Sequence, residues 1–282
     1  MVITIIALVV GGILVGKSLI RNAELQSVIS DADRYRQAAK LFKDKYRYLP
    51  GDFPEAERFW GAMTGCPDPP PSAERRKATC NGDGDGFIGA NGSGPAIIYG
   101  STQQQREPLR VWQHLANGGF IDGQYSGTGS PSADGGIEVG ASIPAGRISL
   151  SGYTMHYAQW VPAGGAGGFT GTYGHIVVFG RASGYYDANH GQVLGLSVWQ
   201  PSFLPILESA EAQQIDSRVD DGRPGTGNVR AYAPGEGSES PDCATSDNPA
   251  TAEYKTDQST YVGNSFGEKS AITCSLIFVT GF

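Results

Sequence analysis

The first 48 residues contain no proline and the first 16 no charge, the first charged side chain being Lys17. Sixteen residues of helix are about 24 Å long, short of the roughly 20 residues a bilayer core requires. The helical pattern continues beyond them. Leu25, Val28, Ile29, Ala32, Tyr35, Ala39, Phe42 and Tyr46 recur with helical period until Pro50–Gly51 stops it. A helix of 48 residues would be about 72 Å long and needs neighbours along its whole length. A signal peptide carries a basic n-region and a small-residue cleavage site, and neither is visible. A single-pass anchor fits the apolar run but not the amphipathic continuation, and a soluble coiled coil fails because residues 1–16 are apolar all round. Gly12 and Gly16 form a small-xxx-small spacing that permits close helix approach.

Beyond the helix the 282-residue chain is loop-rich, with Gly 41 and Pro 17. Its net charge of -7, with no basic stripe, argues against a nucleic-acid partner. Cys66, Cys80, Cys243 and Cys274 form no C-x-x-C pair, so zinc or thioredoxin-like chemistry has no local support. Four cysteines allow three pairings. The simplest is Cys66–Cys80 with Cys243–Cys274, each closing a short loop, which implies an oxidising compartment; four inert thiols are the alternative.

The segment MVITIIALVVGGILVGKSLIRNAELQSVISDADRYRQAAKLFKDKYRYLPGD resembles the N-terminal helix of the type IV pilin and type II secretion pseudopilin family. The resemblance continues through Phe59–Trp60–Gly61, Cys80–Gly86, Arg110–Leu115, Ile215–Asp216, Asp220–Gly222, Val229–Ala231 and Cys274. Members of that family begin with a basic leader ending in Gly, then a methylated Phe and, four residues on, a Glu. None of these is present, so the numbering is expected to begin inside the mature helix. The resemblance implies an α+β class: a helix over 1–48, hydrophobic over 1–20, on an antiparallel head over 49–282. It implies a homo-polymer whose core holds Ile5, Leu8, Gly12, Leu14, Gly16, Leu19, Leu25, Val28 and Ile29. It implies residence in the inner membrane before assembly, with a prepilin peptidase and an inner-membrane assembly platform as partners, then an extracellular filament. The alternatives are a minor pseudopilin of a periplasmic fibre and a membrane-anchored calcium-dependent adhesin acting as a monomer. Val28, Ile29 and Ala32, which one head is not expected to cover entirely, favour the polymer.

The sequence NGDGDGFI places oxygen ligands at Asn81, Asp83 and Asp85, with Gly86 for the sharp turn and the carbonyl of Phe87. This is the first half of an EF-hand-type calcium loop, but its twelfth position is Gly92 instead of Glu. The resembling family has an acid where Glu107 stands, at the start of a helix over Glu107–Asn117, so Ca2+ is expected on Asn81, Asp83, Asp85, Phe87 and Glu107. A flexible Asp-Gly turn cluster without metal is the alternative. Asp216–Gly227 reads as a helix end entering a turn, with no metal expected. Strands are expected where Ile148, Leu150, Tyr153, Met155 and Tyr157 alternate, at His175–Gly180 and at Val193–Trp199, one sheet face covering Tyr35, Ala39, Phe42 and Tyr46. No catalytic constellation is expected. Gly263–Gly267 spells G-x-S-x-G in a polar loop instead of a strand–helix elbow, and the four histidines lack zinc spacing.

Overall fold

The computed structural model describes residues 2–63, 66, 77–89, 103–128, 138–158, 169, 173–182, 203–232, 243–246, 248–256 and 272–282. Among the side chains of the first helix, those of residues 2–10 and 14 lie outside the description. The fold is α+β, as the sequence leads one to expect. Helix α1 runs over Val2–Tyr46, 45 residues or about 68 Å. It ends two residues earlier than its periodicity suggests, because Arg47 turns left-handed (φ 68) and its N–H caps the carbonyl of Lys43.

Among the described residues, short helices α2 (Ala56–Trp60), α3 (Gln103–Asn117) and α4 (Ser209–Val219) and six strands follow. The strands are β1 Ser151–Ala158, β2 Gly174–Ala182, β3 Phe203–Leu204, β4 Leu207–Glu208, β5 Val229–Tyr232 and β6 Ile272–Val279. They make one antiparallel sheet in the order β1-β2-β6-β4, with β3 on β2 and β5 on β6. Tyr153 faces Phe179 across the first pair and Phe179 faces Leu276 across the second. Ile148 and Leu150, expected in the strand, precede it in a turn; Leu150 has φ 64 and points outward. Val193–Trp199 lies outside the described residues.

Tyr35 of α1 meets the sheet edge-on at Tyr153 (5.1 Å) and α3 at Trp112 (4.9 Å). Lower down, the sheet gives way to other cover. Phe42 packs on Phe53, Phe120 and His114, with centroids 5.6–6.3 Å apart. Leu25, Val28, Ile29, Ala32, Ala39 and Phe42 are all buried in this one core. Each large apolar side chain so buried contributes about 1.5–3 kcal/mol. That is a correction to the filament-core expectation. Leu25, Val28, Ile29 and Ala32 are covered by the chain's own head and need no sister copy.

Helix α4 lies alongside α1 at the neck. Arg21 grips Glu211 with two bonds of 2.5 and 2.7 Å, Gln214 reaches Asn22, and Arg218 reaches Gln26. The partners advance together along both helices, so the two run parallel. Glu211 also accepts the N–H of Glu208, completing a capping box that starts α4. Above this clasp no described residue of the head covers the helix. Ile13, Val15, Leu19 and Ile20 are each more than half exposed, and a Cβ added at Gly11, Gly12 or Gly16 would touch nothing. Among the described residues no helix is long and apolar enough to cross a membrane, so the expected span is not found there. Lys17 and Arg21 break the apolar stretch.

Both expected disulfides are present: Cys66–Cys80 (Cα–Cα 5.4 Å) and Cys243–Cys274 (5.1 Å). By loop-closure arithmetic each contributes roughly 3–4 kcal/mol. The second pins the segment at Cys243 to strand β6.

Candidate metal centre

Three segments distant in sequence meet beneath the end of α1. The first is the turn Leu49–Phe53, the second the loop after Cys80, the third the start of the buried part of α3. Two glycines let them touch. A Cβ on Gly51 (φ 91) would lie 2.6 Å from the carbonyl oxygen of Glu107. One on Gly82 would lie 2.4 Å from the Cα of Asp52. His114 fastens the junction from α3: its Nδ1 accepts the N–H of Gly51 at 3.0 Å, and its Nε2 lies 3.1 Å from Thr79 Oγ1. Nδ1 being an acceptor, the ring is neutral with its proton on Nε2. Burial depresses its pKa to about 3, the Arg110 charge adding to the effect.

The approach gathers Asp52, Asp83 and Glu107, one carboxylate oxygen of each lying within 4.8 Å of the others. Asp52 and Glu107 are buried and Asp83 is exposed. The hydrogen bonds they receive come from backbone amides: Gly86 to Asp52 (2.9 Å), Asp85 to Asp83 (3.1 Å), and Asp83 and Gly89 to the two oxygens of Glu107 (3.1 and 2.9 Å). The second oxygen of Asp52, Oδ1, is buried with no hydrogen-bond partner among the described residues. Burial raises the pKa of Asp52 to about 7 and of Glu107 to about 9, against the pull of those amides and with the neighbouring carboxylates adding to the rise.

The expected ligand set is partly redistributed. Glu107 and Asp83 are brought together; Asp52, which the sequence reading left out, joins them. Asn81 turns away, its Oδ1 accepting the N–H of Glu57 (2.9 Å) while its own N–H bonds Glu57 Oε1 (3.0 Å), a reciprocal clasp on α2. Asp85 folds back on the N–H of Phe87 (2.9 Å), and the Phe87 ring packs on Tyr157 at 4.4 Å. In an EF-hand the alternate loop residues share one ion with a bidentate Glu at the twelfth position. Here Gly92 lies outside the described residues, and Glu107 arrives from α3, whose helix begins four residues before the expected start.

A second carboxylate group, Asp216, Asp220 and Asp221, closes the end of α4. Asp216 accepts from Tyr254 Oη (2.9 Å) and the Gly222 N–H (3.2 Å). Asp220 accepts from the N–H groups of Asn228 and Val229, and Asp221 from Arg223 (2.9 Å) and Thr226 (2.5 Å). Here each carboxylate serves a turn.

His175 bridges the Ile88 N–H and the carbonyl oxygen of Phe282 (3.2 and 3.0 Å), and His156 is buried in β1. His190 and Gly263–Gly267 lie outside the described residues. No protein-family model, curated protein or solved structure matches the chain.

Proposed function

We propose that the chain is a structural subunit of a type IV pilin-like filament that assembles side by side through the upper, head-free part of α1. The observation that carries this reading is the stretch Gly11–Ile20. It leaves its own head at the Arg21–Glu211 clasp with Ile13, Val15, Leu19 and Ile20 open to the surroundings. At about 100° per residue, Gly12, Leu19 and Ala23 project on the side of the rod opposite Ala32 and Ala39. The head on one side therefore leaves the other side to a neighbour. Apolar surface is stabilised by about 25 cal/mol per Å2 when removed from water, and sister helices at the small residues provide that cover.

Before assembly this reading holds the chain at the inner membrane by the apolar residues that precede Lys17, and export to the exterior is consistent with two disulfides. A prepilin peptidase and an assembly platform are the partners this reading entails. It includes no catalytic step and no nucleic acid. A short periplasmic pseudopilin fibre would use the same contact.

The experiment is to shear cells and pellet the released fibres from the wild type and from Leu19→Lys. The wild-type chain is expected in the pellet as a major component. The variant is expected to be absent from it while its head melts unchanged. A variant that pellets like the wild type removes the reading, as does a wild-type chain that stays a monomer in the membrane.

A further inference from the structure

We propose that Asp52, Asp83 and Glu107 hold one hard divalent cation, calcium by its chemistry, which staples the turn after the long helix to the segment just beyond Cys80 and to α3. This site does not depend on the filament reading.

The geometry supplies the case. One oxygen from each carboxylate lies within 4.8 Å of the other two. An ion whose ligands stand about 2.3–2.6 Å away spans opposed oxygens about 4.6–5.2 Å apart, so calcium fits among them without rearranging the backbone. Asp52 is 1% exposed, yet Oδ1 has no hydrogen-bond partner among the described residues. A buried anionic oxygen left so is among the costliest groups a fold can carry, and a cation removes that cost. Three carboxylates, mono- or bidentate, give three to six of the six to eight oxygens calcium takes, the exposed side at Asp83 leaving water access for the rest. Magnesium, which keeps several of its own waters, is disfavoured between two buried carboxylates.

The three ligands come from three separate pieces of chain. Asp52 lies six residues after the end of α1, Asp83 lies three residues after Cys80, and Glu107 sits in α3. Gly51 and Gly82 have no room for a Cβ because those pieces already touch. The ion therefore ties the turn after α1 to the segment just beyond Cys80, which no disulfide joins to α1.

The full chain, purified in mild detergent and stripped with EGTA, is titrated with CaCl2 by calorimetry and melted with and without the ion. One ion per chain is expected. At calcium 100-fold above Kd the melting temperature should rise by about 5–10 °C. Asp52→Asn and Glu107→Gln, which keep side-chain volume, should each weaken binding by more than about 10-fold, since even outer-sphere changes cost that much. Asp216→Asn should leave calcium binding as in the wild type. Absence of binding heat together with an unchanged wild-type melt overturns the proposal, whether or not the variants fold. So does calcium binding that persists undiminished in both variants, or that Asp216→Asn abolishes.

Discussion

Val28 and Phe42 in the lower part of α1 are 1% exposed or less, whereas Leu19, about two and a half turns above Val28, is 65% exposed. One helix thus carries two kinds of apolar surface. The lower kind is spent on the chain's own head, between Trp112, Tyr153, Phe53 and Phe120. The upper kind begins where the Arg21–Glu211 clasp ends the head, and nothing in the chain's described residues covers it. A substitution low on the rod tests folding; one high on the rod tests association.

The largest expected effect lies low. Phe42→Ala should cost about 3–5 kcal/mol of head stability, because the ring is fully buried and its neighbours are fixed by other contacts. Chemical denaturation would measure it, and a loss under about 1 kcal/mol would mean that the head does not grip the helix as described.

A medium effect is expected from acid. Burial depresses the pKa of His156 to about 4, with His175 adding to the effect. The folded chain keeps that ring neutral while the unfolded chain protonates near pH 6.5. The histidine's contribution to stability is therefore full above pH 6.5 and is lost as pH falls from there towards about 4. Asp52 and Glu107, whose pKa values burial raises, gain protons on folding in the same window and act in the opposite direction. The readout is therefore a difference: between pH 6.5 and about 4, thermal melts of His156→Phe should lose less stability than those of the wild type. A slope unchanged in that variant would assign the decline to other groups.

Smaller again is the boundary between the two surfaces. Glu211→Gln breaks a half-buried ion pair that also caps α4, and should cost about 1 kcal/mol in the same denaturation measurement. The smallest stability effect belongs to the upper surface. Leu19→Ala should alter head stability by less than about 0.5 kcal/mol. A larger loss would place Leu19 against the head and erase the distinction.

Much of the lower region was legible in the sequence, since Leu25 to Tyr46 follow one helical stripe. What periodicity does not encode is the identity of the cover. Val28, Ile29 and Ala32 look the same whether a head or a sister helix buries them, and the head does. The sheet was half legible. Tyr153 and Met155 alternate as a strand facing a core should, but Thr154 between them and His156 after them are buried as well. Strand β6, Ile272–Val279, lacks alternation because residues on both its faces are buried, and β5 is only four residues long. At the carboxylate cluster, the spelling NGDGDG pointed to the loop that carries Asp83, and Glu107 was singled out through the family resemblance. Asp52 was hidden because Pro50–Gly51 reads as a helix stop. Its signal was the pairing of two glycines, Gly51 and Gly82, with an acid beside each. Asn81 and Asp85 carry ligand chemistry but are drawn off by nearer N–H groups, those of Glu57 and Phe87.

The most direct measurement is intermolecular cross-linking in sheared material, with a single added cysteine at position 19 or at position 28 and a short bis-maleimide. The account predicts chain-to-chain cross-links from Leu19→Cys and none from Val28→Cys. Cross-links from position 28, or a position 19 that reacts only as a monomer in lipid, would contradict it.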